Sequence, residues 1–507
     1  MKAKLRRQLL RRKRQIQDRL DPVKKRPLSF RPVFTRGNLH YELTERVRGL
    51  GCGGIALFHR LAQQIGLVKT IDERLDLLKI HLPYHESDHV LNSAFNALCG
   101  GDCLQDIELR RNDVNFLDAV GAQRIPDPTT AGDFCRRFQR HHIDTLQDIY
   151  DDVRVGVWRR QPATFFGEAL LDADGSLVPT YGQCKQGMDI AYNSTWGYHP
   201  LLVSLANTRE VLRLVNRSGN RPSHEGAAEA LDQAIATCRR AGFRKIVLRG
   251  DTDFSQTKHL DRWDADEVRF VFGYDACPNL KDSADALPAA AWKPLERPLR
   301  LSLTAPRQRP DNVKDRIVRE RGYETLRLRS EDVAEFNYRP TACSQDYRLI
   351  VVRKNITREK GELRLYDEIR YFFYLTNDWV REAHEIVFFA NDRCHQENLI
   401  QQLKNGVCAL RAPVDTLESN WAYMVMTALA WNLKAWAALM LPETGRWAET
   451  YRADKLWLLG LEFKAFVNTM VTIPCQLVKQ ARRLVLRVLS YHPRLPVFFR
   501  LAEALRC

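Results

Sequence analysis

Two acidic doublets and a glutamate flanked by cations have the residue types and spacing to do chemistry. In LLDADGSLVP an apolar run ends in Asp172 and Asp174, and in KIVLRGDTDF a second run ends at Asp251, with Asp253 two residues on. An ionised carboxylate is costly to bury unless a cation, a metal or a donor faces it, so both doublets need partners. The third segment, ANDRCHQENLIQQLKNG, is predicted to be one helix. Arg393, Glu397 and Lys404 then fall on one stripe. Carboxylates of this kind suit hard divalent cations. Two such ions roughly 3.5–4 Å apart activate a water or a 3′-hydroxyl on one side of a phosphate and stabilise the oxygen leaving on the other. Arg393 and Lys404 supply positive charge for nucleic-acid phosphates beside a cluster that would otherwise repel them.

The elements that must position these residues follow from periodicity. FFGEALLDADG, LLVSLAN and VLRLVNRSG read as three strands, then come a helix from about 225 to 241, the strand KIVLRG, another helix and the strand VRFVFGY. This is a mixed α/β order whose first three strands can form an antiparallel meander. Asp172 and Asp174 alternate onto the same sheet face, so periodicity does not separate them.

Around this core the texture changes. Residues 1–37 read as a basic, mobile arm, helical at most over its first part, and 38–160 as a helical DNA-binding domain in which Arg136 and Arg137 are displayed on a short helix. The core occupies 161–275 and 369–442, interrupted by a β-rich segment at 276–368. RYFFYLTND returns the chain to the main sheet. A basic helical region, 443–507, ends the chain.

Composition narrows the partners. The 507 residues carry a formal charge of +16 and are 45% hydrophobic, which points to several well-filled domains and a polyanion such as nucleic acid. Twelve scattered cysteines fit a reduced, intracellular chain without a disulfide framework. The charged opening MKAKLRRQLLRRKRQ has no apolar core of a signal peptide. The apolar run 420–442 contains Asn432 and Lys434, so it reads as a buried helix and not a membrane span.

LDADGS, RGDTDF and the R-x3-E-x6-K spacing together resemble the signature of DDE-type insertion-sequence transposases. PTYGQ, YHPLL, YLTND and SDHVLNSAFNALCGG make the insertion-sequence-1380 family the most similar. The resemblance spans about residues 40–440. It implies an α/β fold with an RNase H-like catalytic core, the β-rich insertion, an N-terminal helical domain and a helical C-terminal part. It implies Mg²⁺, for which Mn²⁺ can substitute, cleavage at terminal inverted repeats of double-stranded DNA, and joining of the 3′-OH ends to target DNA. It also implies at least a dimer on DNA and a cytoplasmic, nucleoid-associated location. Carried onto this chain, the catalytic and metal-binding triad is Asp174, Asp251 and Glu397, with Asp172 and Asp253 as supports and Arg393, Lys404, Arg136 and Arg137 on DNA. Asp174 is preferred because Gly175 and Ser176 follow it, and Asp251 because it directly follows its strand. One departure is Ala390, where related transposases often carry tyrosine. The rival expectations are an inactive relative that only occupies element ends and an RNase H-fold nuclease without strand transfer.

Three other features read as structural. HESDH matches H-E-x-x-H, but Pro83 precedes it and Ser87 is placed to cap the helix that starts there, whereas a zinc peptidase needs both histidines inside one helix. Trp292 and the series Trp421, Trp431 and Trp436 read as packing residues.

Overall fold

The computed structural model describes residues 3–21, 47–182, 184–297, 313–361, 363–480 and 483–505. The first helix, α1 (Ala3–Leu20), carries the start of the basic arm. It is docked and not extended: Leu9 is buried, and the Arg12 guanidinium donates to the carbonyls of Val488 and Ser490 at 2.9 and 3.1 Å. The rest of the expected arm lies outside the described residues.

The helical region that follows is built on α2 (Glu86–Leu98), α3 (Pro128–Arg136) and α4 (Arg140–Trp158). Asp127 caps α3 by accepting from the Thr130 amide at 2.8 Å, with Pro128 at the first helical position. His85, not Ser87, precedes α2, and its amide donates to Asp88 at 2.9 Å.

The meander is β1 (Glu168–Gly175), β2 (Leu201–Leu205) and β3 (Glu210–Val215). A small three-stranded sheet, formed by 178–179, 189–190 and 196–198, is inserted between β1 and β2. Helix α5 (Ala227–Ala241) then leads to β4 (Lys245–Gly250), and a further helix, Thr257–Ala265, leads to β5 (Val268–Tyr274). β1 runs antiparallel to β2 and parallel to β4, and β4 runs parallel to β5.

The β-rich segment contributes β6 (Glu324–Tyr338) and β7 (Tyr347–Lys360), followed by β8 (Leu363–Thr376). These strands extend the core sheet and do not form a sheet of their own. The full order is Lys293–Pro294, β6, β7, β8, β5, β4, β1, β2, β3. β8 joins β5 through pairs such as Phe373 with Tyr274, so the expected boundary at 368/369 falls inside one continuous strand.

The remaining helices are α6 (Ala383–Asn391), α7 (Cys394–Gln401) and α8 (Leu417–Leu439), the last buried along almost its whole length. Its polar residues are satisfied by protein: Asn432 exchanges two 3.0 Å hydrogen bonds with the Val211 backbone, and Lys434 donates to the Leu459 carbonyl at 2.9 Å. No helix among the described residues is long and apolar enough to cross a membrane.

The C-terminal region is only partly helical. Lys479 and Gln480 end β9 (Cys475–Gln480), and RLVLRV forms β10 (Arg483–Val488), which pairs with it antiparallel. Gly49–Leu50 adds to the β9 edge and ties the start of the helical region to the end of the chain. The final helix is α9 (Leu495–Ala504). One buried apolar cluster runs from Leu9 to Leu505 through the helices and the sheet, so the helical region and the core share one interior.

Candidate active site

The parallel pairing of β1 and β4 sets the site. Asp172 lies opposite Arg249, so Asp174 and Asp251, each two residues further on, leave adjacent strands at one level. Asp172 is fully buried and takes both arms of Arg249, Nε–H to Oδ1 at 2.7 Å and Nη2–H to Oδ2 at 2.9 Å. Arg249 also donates to the Phe389 carbonyl at 3.0 Å and lies over the Phe389 ring. Asp172 is therefore a structural anion of the sheet, whereas Asp174, two residues on, accepts the Gly175 amide at 2.8 Å. Burial raises the proton affinity of Asp172, and the guanidinium opposes that rise.

Asp174 is half-buried, and its proton affinity is pushed up to about 6. Burial is the main cause and the charge on Asp251 the next, with Glu397 adding and Arg393 opposing. Asp251 is raised by burial and by Asp253, again against Arg393. Asp251 also starts a short turn, accepting the Asp253 amide at 3.0 Å, while the Asp253 side chain points to solvent. The turn packs closely. A Cβ on Gly250 would lie 2.5 Å from the Phe254 Cβ, and one on Gly273 would lie 2.9 Å from the Thr252 amide. Both glycines are there because backbone and side chain approach too closely for any other residue.

The segment carrying Arg393, Glu397 and Lys404 is not one regular helix. α6 ends at Asn391, α7 starts after Arg393, and residues Gln402–Gly406 widen into a π-turn. The three side chains nonetheless fall within electrostatic reach of the carboxylates: Arg393 acts on Asp172, Asp174 and Asp251, Glu397 on Asp174, and Asp174 on Lys404. Burial lowers the proton affinity of Lys404, and Asp174 opposes this. The Arg393 Nη1 is buried without a hydrogen-bond partner, a donor held ready for an anion.

Arg136 and Arg137 lie elsewhere, at the end of α3. Arg136 is held by Asp133 and Asp415, each at 2.8 Å, and Arg137 lies near His89. Neither is brought to the carboxylate cluster. Ala390 is buried against the underside of the sheet, and Trp292 is partly buried with the Arg353 guanidinium 4.2 Å from its ring.

Three residues of the site have no signal in the sequence patterns. Arg249 reads as an ordinary strand residue. Gln396 is buried and ties α7 to β2, accepting from the Ser204 hydroxyl and donating to the Leu202 carbonyl at 3.4 Å. Those two residues are the register partners of Asp172 and Asp174, so one side chain sets the helix that carries Glu397 above the acidic strand. His199 is buried against Gly175, where a Cβ would stand 2.7 Å from its Nε2, and its Nδ1 is 3.0 Å from the Arg221 carbonyl. The YHPLL motif contained it, but no spacing rule linked it to Asp174.

The acidic set fits divalent cations by its donor chemistry. Its oxygens raise one another's proton affinity, a repulsion that a cation relieves. The three carboxylates are not drawn together within 4.8 Å, as the groups His81, His85, Glu86 and Asp102, Cys103, Asp106 are among the described residues.

Comparison with known proteins adds an independent finding. No curated protein matches the chain. A solved structure that is similar is the cryo-EM structure of a piggyBac transposase synaptic complex with hairpin DNA. It is 11% identical, with 84% of this chain and 83% of that one covered and a TM-score of 0.36. The family model for the transposase DDE domain, group 1, matches residues 51–507. With nine-tenths of its length inside that model, the chain belongs to the transposase DDE domain group 1 family.

Proposed function

We propose that this transposase cleaves DNA at the terminal inverted repeats of its own element and joins the 3′-OH ends to target DNA, with Asp174, Asp251 and Glu397 as its metal-binding catalytic residues. The observation that carries the reading is the meeting of two strand-end aspartates with a glutamate on an anchored helix, where Asp174 is lifted to about 6 by burial first and then by the charges of Asp251 and Glu397. The strand order β3-β2-β1-β4-β5, with an antiparallel meander beside two parallel strands, supports an RNase H-like core. The quoted motifs favour the insertion-sequence-1380 family within the broader group.

Mg²⁺, or Mn²⁺ in its place, would be held by the carboxylates of Asp174, Asp251 and Glu397 and would activate the attacking oxygen while stabilising the leaving one. The chain's own groups do the rest. Arg393 offers its unpaired Nη1 to a phosphate, and Lys404 places a second cation beside Asp174. Asp172 with Arg249, and Gln396 with β2, hold the two strands and the helix in register. Asp251 itself holds the turn by accepting the Asp253 amide, and the exposed Asp253 carboxylate adds negative charge at its rim. Arg136, Arg137 and the +16 charge extend contact along double-stranded DNA. Bringing two ends together calls for at least a dimer on DNA, and the substrate places the protein at the nucleoid in the cytoplasm.

The test uses purified protein, Mg²⁺ and a duplex carrying the element's own end. Wild type is expected to nick and join, and Glu397→Ala to lose both by at least about a thousandfold while binding the duplex normally. Nicking by Glu397→Ala at the wild-type rate removes Glu397 from the triad. Cleavage without joined products in a target plasmid favours a nuclease, and end-binding without cleavage under either metal favours an inactive relative.

A further inference from the structure

The H-E-x-x-H segment is not a peptidase motif, yet its first histidine and glutamate do meet another histidine. Residues 75–85 connect the helix Leu67–Arg74 to α2. In that connection His81 Nδ1 comes to 3.1 Å from Glu86 Oε2, and the His81 and His85 rings stack with centroids 5.2 Å apart and planes 12° apart. A ligand atom from each of the three residues lies within 4.8 Å of the other two. His89, the second histidine of the motif, is instead stacked on Phe134 one turn further along.

Glu86 is the decisive member. It is fully buried, its Oε1 accepts the amides of Leu77 and Leu78 at 3.1 and 2.9 Å, and its Oε2 has no hydrogen-bond partner. The approach of His81 is therefore close without being aligned for donation. A buried carboxylate oxygen left unpaired is costly. Two lone-pair atoms about 3.1 Å apart have the spacing that ligands adopt around an ion with bonds of ~2.0–2.1 Å.

We propose that His81, His85 and Glu86 form a binding site for a divalent transition-metal cation, zinc above all, separate from the catalytic carboxylates. Imidazole donors select zinc-type ions over Mg²⁺, which prefers an all-oxygen shell. Three protein ligands leave one position for water, and the two histidines stand at the surface while the glutamate closes the base. The ion fastens the loop 75–85 onto the start of α2. That loop exposes Ile80 and Leu82 and, with Tyr84, Phe134 and Arg137, walls a groove on the helical region. Its ordering is the effect expected of the metal.

The test uses the full chain, stripped of metal by chelation and then held in excess Mg²⁺ so that oxygen-only sites are filled. Zinc is titrated by calorimetry, Co²⁺ by its visible absorption, and hydrogen exchange is followed over 77–85. The expected result is one zinc site whose affinity falls at least about tenfold in His81→Ala and in His85→Ala but not in Asp174→Asn, with slower exchange in the loop on zinc addition. The two histidines are exposed, so their replacement leaves the fold intact. An isotherm unchanged in both histidine variants, loss of the site in Asp174→Asn, or no zinc uptake by wild type overturns the proposal.

Discussion

Asp172 and Asp174 are separated by one alternation of a strand, and their environments differ completely. Asp172 neutralises a buried guanidinium, whereas Asp174 faces two other acids. Replacing Asp172 by Asn leaves Arg249 buried without its anion and should cost about 3–5 kcal/mol, read as a lower Tm and a lower denaturation midpoint. Asp174→Asn removes a repulsion, so it should not lower Tm but should abolish cleavage. Equal Tm values for the two variants would show that Arg249 is not the essential partner of Asp172. The doublet was visible in the sequence, but the division of labour within it was not, because Arg249 comes from a strand 77 positions away.

At the scale of elements, α7 packs Leu399 and Ile400 into the core, and the buried Gln396 amide ties it to β2 beside the acidic strand. Gln396→Ala frees α7 from Ser204 and Leu202, so Glu397 should lose its alignment while Arg393 and Lys404 keep their charge. The expected outcome is cleavage reduced by about 10- to 100-fold with duplex affinity within twofold of wild type. An equal loss of binding and cleavage would count against a positioning role. The strands of the core and the insertion were legible because alternation and β-branched runs survive any context. The break at Arg393 and the π-turn were not legible, since both answer to how α6 and the following segment meet the sheet. The last basic segment misled because its apolar residues satisfy a helical period and a strand period, and only pairing with Gly49–Leu50 and between its own strands decides between them.

At the scale of the whole molecule, Glu210 joins three regions. It is fully buried on β3 and accepts from Arg154 and Trp158 of α4 at 3.1 and 2.8 Å and from Trp436 of α8 at 2.7 Å. Glu210→Ala leaves Arg154 without one of its carboxylates and should cost about 3–5 kcal/mol. The helical region and the sheet should then unfold together in one transition, and two separate transitions would contradict a shared core. Acid should weaken the same assembly through His89, which burial between Phe134 and Tyr84 holds neutral down to about 4. Its folded proton affinity lies below the unfolded 6.5, so the unfolded state gains the proton first. Stability is therefore intact above pH 6.5 and falls as pH drops from 6.5 towards 4, by up to about 3 kcal/mol from this group. His89→Phe should flatten that part of the pH–Tm curve, and an unchanged slope would assign it to other groups.

The sequence by itself determined the mixed α/β order, the acidic strand ends, the basic balance and the buried character of the apolar helix, because each is written in local periodicity or in residue chemistry. Tertiary structure alone decided which acid is held by Arg249, that Gln396 and His199 belong to the site, that the insertion continues the main sheet, and that His81 meets Glu86. Each of these depends on residues from different elements meeting in space, and no local period records such a meeting.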